Sequence, residues 1–502
     1  MIALAPLLAA SLALAGPAPA PEPAAAPATV LVMPYVEVPG APDWAGMATT
    51  DTLLDAAVQQ NHDSFLTLKQ LDAVLRRRDL KLGDAAVALH TNALARALGA
   101  TDVISGGVTQ VGQRVVIDGK RVRLAGGAVL RSASVEGRLA QLPQLLQKLA
   151  GGLGLAHALG PPTTNLKALE LGARCTFALA RQSLAPRSRA VLPKSQLEAA
   201  DTFCGGALAA DPKLGEAHAG VAVLLAVRGK AAEARKEAAA ANAGLRLVWW
   251  ASLAECYAYR RAGDPAASRT VLEHAVAARP GFLHALGYLG EEQIEASDDA
   301  GALKTFDQYL ARSPGHPWAI GKKGRALSML GMQERAIAIT KEALASSDDP
   351  ELRIELASRY LDAGNDAAAE KLLLEVAALS PVRPLALLRL GYLYLRNGKL
   401  KEARAQFLRT VVEARREDEA RTRALAYADL AQVAGREGMI ENALEALFAA
   451  RAEGLRKLPC DTPELQKWKG HAGFDAACSE DGTLPPGSAV DDEDDVVAVE
   501  LQ

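Results

Sequence analysis

The chain has 502 residues, half of them hydrophobic and 23% charged, with a formal net charge of −3. That is material for two or three globular domains, and it carries no excess of positive charge to hold nucleic acid or an acidic membrane surface. Aromatics make up only 4% of residues, so Ala and Leu must do most of the packing, a bias that favours helix.

Residues 1–28 open with MIALAPLLAASLALAG and run into PAPAPEPAAAPA. The apolar run has the length of a secretory h-region and is short for a membrane span. No Lys or Arg precedes it, and most Ala-x-Ala sites are followed by Pro, which leaves Ala28 before Thr29 as the least obstructed cleavage point. Export is the expectation, with an uncleaved anchor as the alternative, and no later segment reads as a span.

Residues 29–160 alternate strand and helix signals and predict an α/β sandwich, a sheet covered by helices. TVLVMPYV reads as a buried strand, DWAGMATTDTLLDAAVQQN as an amphipathic helix, and SFLTLKQ as a second strand. LDAVLRRRDL reads as a short helix with Arg76 to Arg78 on a solvated face, and DAAVALHTNALARALGA as a helix closed by Gly99. Three β-rich segments follow, near 102–111, 114–124 and 128–135, and then the helix RLAQLPQLLQKLAGGLGLAHAL before Pro161-Pro162.

The glycines of GATDVISGGVTQVGQRVVIDGKRV invite a test for phosphate binding. A P-loop needs G-x-x-x-x-G-K-[ST], but Arg121 follows Gly119-Lys120 and Arg114 stands where the first glycine belongs. A dinucleotide fingerprint needs G-x-G-x-x-G opening a helix, and the spacing of Gly106, Gly107 and Gly112 is wrong. These are sheet glycines. Gly112-Gln113 suits a tight hairpin; Asp118-Gly119 is also a hairpin dipeptide. Turning at Asp118-Gly119 would leave very short strands, so the expectation is one long strand with Gly119 as a bulge or close-contact site.

The opening VLVMPYV, LKQLDAVLRRRDLKL and above all ALGATDVISGGVTQVGQRVVIDGKRVRLAGGAVLRSASVEG resemble the N-terminal domain of TolB and the related CsgG-like envelope domains. The resemblance implies a cell-envelope protein that contacts partners and is not a catalyst.

From 163 onward the chain is helical with a fixed period. Small residues stand at Ala222, Cys256, Gly290, Gly324, Ala357, Gly391 and Ala431, and again twelve residues after each, from Ala234 to Ala443. The period is 34 residues, and the clearest copy is LALLRLGYLYLRNGKLKEARAQFLRTVVE. The pattern resembles the tetratricopeptide repeat and predicts an all-α right-handed solenoid of about seven hairpins over 215–455. An atypical hairpin occupies 163–212, with LAPRSRAVLP breaking its spacing, and the charged stretch EARREDEARTR should lengthen the helices of the last unit. Residues 456–480 read as a capping segment and 481–502 as an acidic disordered tail.

Of five cysteines, none is in C-x-x-C spacing. Cys460–Cys478 is the first candidate disulfide if the chain is exported, Cys175–Cys204 the second, and Cys256 reads as a small buried hydrophobe. The eight histidines show no zinc-ligand spacing, and no serine sits in a nucleophile elbow. No metal, cofactor or catalytic residue is expected.

The site is instead a groove. Counting each small residue as position eight, positions two, five, nine, twelve and thirteen of the first helix line the concave face that such repeats use. They supply Trp250, Tyr257, Arg260, Arg261, His284, Trp318, Arg325, Tyr392, Leu395, Arg396 and Arg436. Aromatic and Arg side chains anchor partners in binding hot spots, and Arg suits an acidic or C-terminal carboxylate ligand. The Lys and Asn of a chaperone-type carboxylate clamp are missing from positions five and nine. The leading expectation is a non-catalytic scaffold of the bacterial envelope that holds a partner peptide or helix. The alternatives are an accessory subunit of a secretion or assembly machine that oligomerises through the α/β domain, and a hydrolase with a site at the domain junction.

Overall fold

The computed structural model describes residues 27–479 except 39, 61–62, 78–79, 81–87, 156–160, 180–193, 244–247, 347–348, 379–382, 416–418 and 456–457. The expected leader, the LAPRSRAVLP insertion, the expected acidic tail, Arg78 and the Arg76 and Arg77 side chains lie outside the described residues.

Six strands form one sheet: β1 (Thr29–Val32), β2 (Val36–Glu37), β3 (Ser64–Leu66), β4 (Asp102–Val111), β5 (Arg114–Arg123) and β6 (Val129–Arg138). The order is β3-β1-β4-β5-β6, with β2 paired on β4; β1, β2, β3 and β4 are parallel, and β4, β5 and β6 run antiparallel. Gly112 turns the β4–β5 hairpin with φ +61°. Gly119 lies unbent inside β5, where an added Cβ would stand 2.4 Å from Tyr35 Oη. It is a close-contact site, and the bulge lies instead between Arg121 and Val122.

Strand alternation divides the core. Val30, Val32, Ile104, Val115 and Ile117 pack with α1 (Ala45–Val58) and, past a 3-10 turn at Leu139–Gln141, the shorter α4 (Leu142–Gly152). Leu31, Met33, Leu66 and Val103 pack with α2 (Leu68–Arg77) and α3 (Ala88–Ala97). The strand expected over SFLTLKQ ends at Leu66, because Thr67 turns the chain into α2: its N–H donates to Gln70 Oε1 at 2.9 Å. Helix α1, expected to be amphipathic, has no solvated face. Every residue from Thr49 to Val58 is buried, polar ones included.

The rest is hairpins of helices. Helices α5 (Leu166–Leu179) and α6 (Lys194–Ala210) are joined by the Cys175–Cys204 disulfide. Seven pairs of described helices follow: α7 (Gly215–Val227) with α8 (Ala231–Asn242), α9 (Ala251–Arg261) with α10 (Pro265–Ala278), and α11 (Leu283–Glu295) with α12 (Asp299–Arg312). Then come α13 (Pro317–Met329) with α14 (Gln333–Ser346), α15 (Pro350–Asp362) with α16 (Asp366–Ala377), α17 (Arg383–Arg396) with α18 (Leu400–Glu413), and α19 (Ala420–Glu437) with α20 (Ile440–Ala452). The small residue at position eight has a direct cause: a Cβ at Gly290 would lie 2.6 Å from the Phe306 ring, and one at Gly391 2.5 Å from Phe407. The charged stretch before the last unit does lengthen α19, to 18 residues. Two short helices, α21 (Pro463–Gln466) and α22 (Ala472–Cys478), close the end with the Cys460–Cys478 disulfide. Cys256 is buried and free, with its thiol pushed up to about 12 by burial. No helix among the described residues is long and apolar enough to cross a membrane.

Candidate functional site

The α/β domain does not stand apart from the solenoid. It docks on the edge made by the turns between hairpins and by the starts of their first helices. The Trp249 indole N–H donates to Asp51 Oδ1 at 2.8 Å, and the Trp249 backbone N–H donates to Asp55 Oδ1 at 2.9 Å. Both carboxylates come from the polar face of α1, which explains why that face is buried. Thr67 Oγ1 lies 3.0 Å from His284 Nδ1, Gln70 Nε2 donates to Tyr309 Oη at 2.9 Å, and Thr29 Oγ1 donates to the Arg312 carbonyl at 2.7 Å. Arg174 of α5 pairs with Asp43 at 2.7 Å. Leu283, Leu286 and Ala319 complete the apolar cluster under β1 and β3.

This docking settles where the expected groove residues stand. Trp250, His284 and Trp318 share position two of α9, α11 and α13. Trp250 is 0% exposed and His284 5%, so their surfaces are spent inside the chain. Trp318 is half-buried, its ring 5.9 Å from those of Phe306 and Tyr309. Tyr257 and Leu395 are also buried, the latter in a small cluster with Phe407. The periodicity located the row; it could not say that the chain's own first domain covers its start.

The arginines at position thirteen have a second common role. Arg396 Nη1 donates to the Leu361 carbonyl at 2.8 Å, and Arg436 Nη1 to the Leu395 carbonyl at 2.6 Å. Arg261 reaches the Ala226 and Val227 carbonyls at 3.4 and 3.3 Å. In each case a guanidinium meets the end of the preceding first helix, where the helix dipole favours a cation, and it adds a second donor to the Leu361 and Leu395 carbonyls, which also accept from the Gly364 and Gly398 N–H groups. Arg260, one position earlier, bridges to Glu292 and Glu295 on α11. These side chains hold neighbouring repeats together.

What stays open lies beyond the docked domain, whose described contacts end on α13. Tyr392 is 46% exposed, and Arg389 and Arg396 stand three residues before and four after it, so all three form one stripe along α17. Asp429, Gln432 and Arg436 make the matching stripe on α19. Burial, against a weaker opposite pull from Arg389, pushes the Asp429 carboxyl up to about 7, and Gln432 Nε2 donates to its Oδ1 at 3.0 Å. Arg325, at position nine of α13, is half-buried.

The sequence reading missed Trp249, Asp51, Asp55, Thr67 and Gln70. Among them only the acids inside the helical run TTDTLLDAA offered a signal, and it looked like a solvated face. Several polar groups pair across the junction, while Ser64 Oγ and Trp250 Nε1 are buried with no hydrogen-bond partner among the described residues, and no group of three or more His, Cys, Asp or Glu residues able to hold a metal occurs among the described residues.

A tetratricopeptide repeat family model matches residues 253–317 and 354–420. No curated protein matches the chain. A tetratricopeptide repeat protein of Parabacteroides merdae is similar in structure at 17% identity, over 48% of this chain and 94% of that one, with a TM-score of 0.40. A thermophilic protein of the same kind from Thermus thermophilus matches at 24% identity over 36% and 98%, with a TM-score of 0.31. PilW, a type IV pilus biogenesis factor, matches at 20% identity over 42% and 94%, with a TM-score of 0.32. The family match identifies tetratricopeptide repeats at residues 253–317 and 354–420, a kind of module that mediates protein–protein interaction and is generally non-catalytic.

Proposed function

We propose that this protein is a non-catalytic scaffold of the bacterial cell envelope that holds a peptide or helix of a protein partner on the repeats beyond α13. The observation that carries the reading is the exposed pair of Arg389 and Tyr392, a guanidinium and an aromatic side chain one turn apart on a rigid helix. Two disulfides, Cys175–Cys204 and Cys460–Cys478, suit an oxidising compartment and support export. The resemblance of the first domain to TolB-type envelope domains points the same way.

The test is purification of the full chain with its partners from envelope fractions, comparing wild type with Tyr392→Ala/Arg389→Ala. Loss of a specific partner in the variant is the expected result; an identical partner set would sink the reading. A second reading, an accessory subunit that self-associates through the α/β domain, is favoured by the outer edge of β6, on which no further strand pairs among the described residues and where Val129 is 60% exposed. A strictly monomeric mass in solution at all concentrations would remove it.

A further inference from the structure

We propose that Ala28 is kept as part of the folded α/β domain when the exported chain loses its leader, so that the processing cut falls ahead of Ala28 and not between Ala28 and Thr29. The inference rests on the export half of the proposed function and gives it a processing site.

The bond between Ala28 and Thr29 lies inside the fold. Ala28 is 6% exposed and Thr29 0%. The Ala28 N–H donates to Asp63 Oδ1 at 3.1 Å, and the Ala28 carbonyl accepts from the Ser64 N–H at 2.8 Å. The Thr29 N–H donates to Thr101 Oγ1 at 3.0 Å, and the Thr29 carbonyl accepts from the Thr101 N–H at 2.8 Å. Thr29 Oγ1 reaches the Arg312 carbonyl at the end of α12. The two residues thus tie β1 to β3, to the entry of β4 and to the docked repeats. Pro27, just ahead of them, is exposed.

A leader peptidase meets the chain unfolded, so burial does not block a cut at Ala28; it penalises the product. A chain starting at Thr29 would place an ammonium at a site without exposure, opposite the neutral Thr101 hydroxyl, and a buried charge without a charged partner is costly. It would also take the acceptor from the buried Ser64 N–H. Ser64 Oγ already lacks a hydrogen-bond partner among the described residues. A cut ahead of Pro27 carries neither cost, because the new ammonium stays in water. The sequence then locates the cut. The Ala-x-Ala triplets ending at Ala5, Ala20 and Ala26 run straight into Pro, which leaves Ala13-Leu14-Ala15 and Ala26-Pro27-Ala28. With the second inside the sheet, the cut follows Ala15, at the end of the apolar run and ahead of Gly16.

The full chain with its own leader, expressed in a Gram-negative host and recovered from periplasmic and membrane fractions, shows its first residue by N-terminal peptide mass spectrometry. Gly16 is the expected end. Ala15→Gln should keep the leader on, whereas Ala28→Gln should still begin at Gly16. A first residue of Thr29, or a chain uncut at Met1 in those fractions, overturns the proposal. The cost to the fold is read separately in urea melts of chains released from a fusion with authentic ends. Starts at Gly16 and Pro27 should agree within about twofold in unfolding constant, and a start at Thr29 should raise it about tenfold. Equal stability of the Pro27 and Thr29 starts overturns the proposal as well. A chain found only in the cytoplasm rejects export and the cut together, whereas a Thr29 end on an exported chain rejects the cut alone.

Discussion

Trp249→Phe tests the docking of the two parts of the chain. The indole of Trp249 is 1% exposed, and its N–H reaches Asp51 Oδ1 at 2.8 Å. Removing that donor forfeits a hydrogen bond to a buried carboxylate, about 1.5–3 kcal/mol. The smaller ring also leaves unfilled volume, for a total of about 3 kcal/mol. If the loss falls on the docked state, the population in which α1 is uncovered rises about a hundredfold. Hydrogen exchange of the Ala45–Val58 amides, followed by mass spectrometry on the full chain, reads that population directly. Exchange there should accelerate by about that factor in Trp249→Phe and stay unchanged in Trp468→Phe, a control at the far cap. Acceleration within about threefold of wild type would refute the reasoning, because the hydrogen bond would then contribute almost nothing.

Tyr35 Oη is buried without a hydrogen-bond partner among the described residues, so Tyr35→Phe should leave stability unchanged or raise it by about 1 kcal/mol. Gly119→Ala should destabilise, since its Cβ would meet that oxygen at 2.4 Å, and Tyr35→Phe should restore most of the loss; equal losses in both backgrounds in urea melts would contradict the contact. Arg359 has a side chain only 7% exposed and no hydrogen-bond partner for Nε or Nη1 among the described residues, so Arg359→Met should stabilise by about 1–3 kcal/mol in the same assay, and a comparable loss would show the cation to be needed. Asp429 keeps its proton up to about pH 7 in the fold, while an unfolded chain releases it near 3.8. Stability should therefore fall as pH rises between those values and level off above, by about 1 kcal/mol once partial exposure is allowed for. Asp429→Asn should lack that component, and superimposable pH profiles would dismiss it.

What the sequence showed and what it hid divide along one physical line. The repeat register was legible because it is local: Gly290 and Gly391 are small for rings that arrive sixteen residues later in the same hairpin. The β4–β5 hairpin was legible because Gly112 and the strand alternation act within a dozen residues. Gly119 was read as a bulge or a close contact; it is the close contact, and the bulge fell at Arg121, set by pairing with β6. The docking was not legible, since Trp249 and Asp51 are separated by 198 positions. Each residue alone carries the signal of something else: Asp51 of a solvated helix face, Trp250 of a binding hot spot. The arginines misled for a related reason. An Arg at position thirteen suits a ligand carboxylate as well as the carbonyls of the preceding helix, and only the spacing between repeats chooses the carbonyls.

The first domain covers the start of the position-two row, which on the proposed reading leaves a partner the repeats beyond it. Thr67→Cys with His284→Cys replaces two side chains whose polar atoms lie 3.0 Å apart across that junction. Mild oxidation of the full-length double variant, followed by peptide mapping, measures whether they meet. Docking as described predicts one new intramolecular disulfide between residues 67 and 284. Two free thiols, or crosslinks only between molecules, would contradict it.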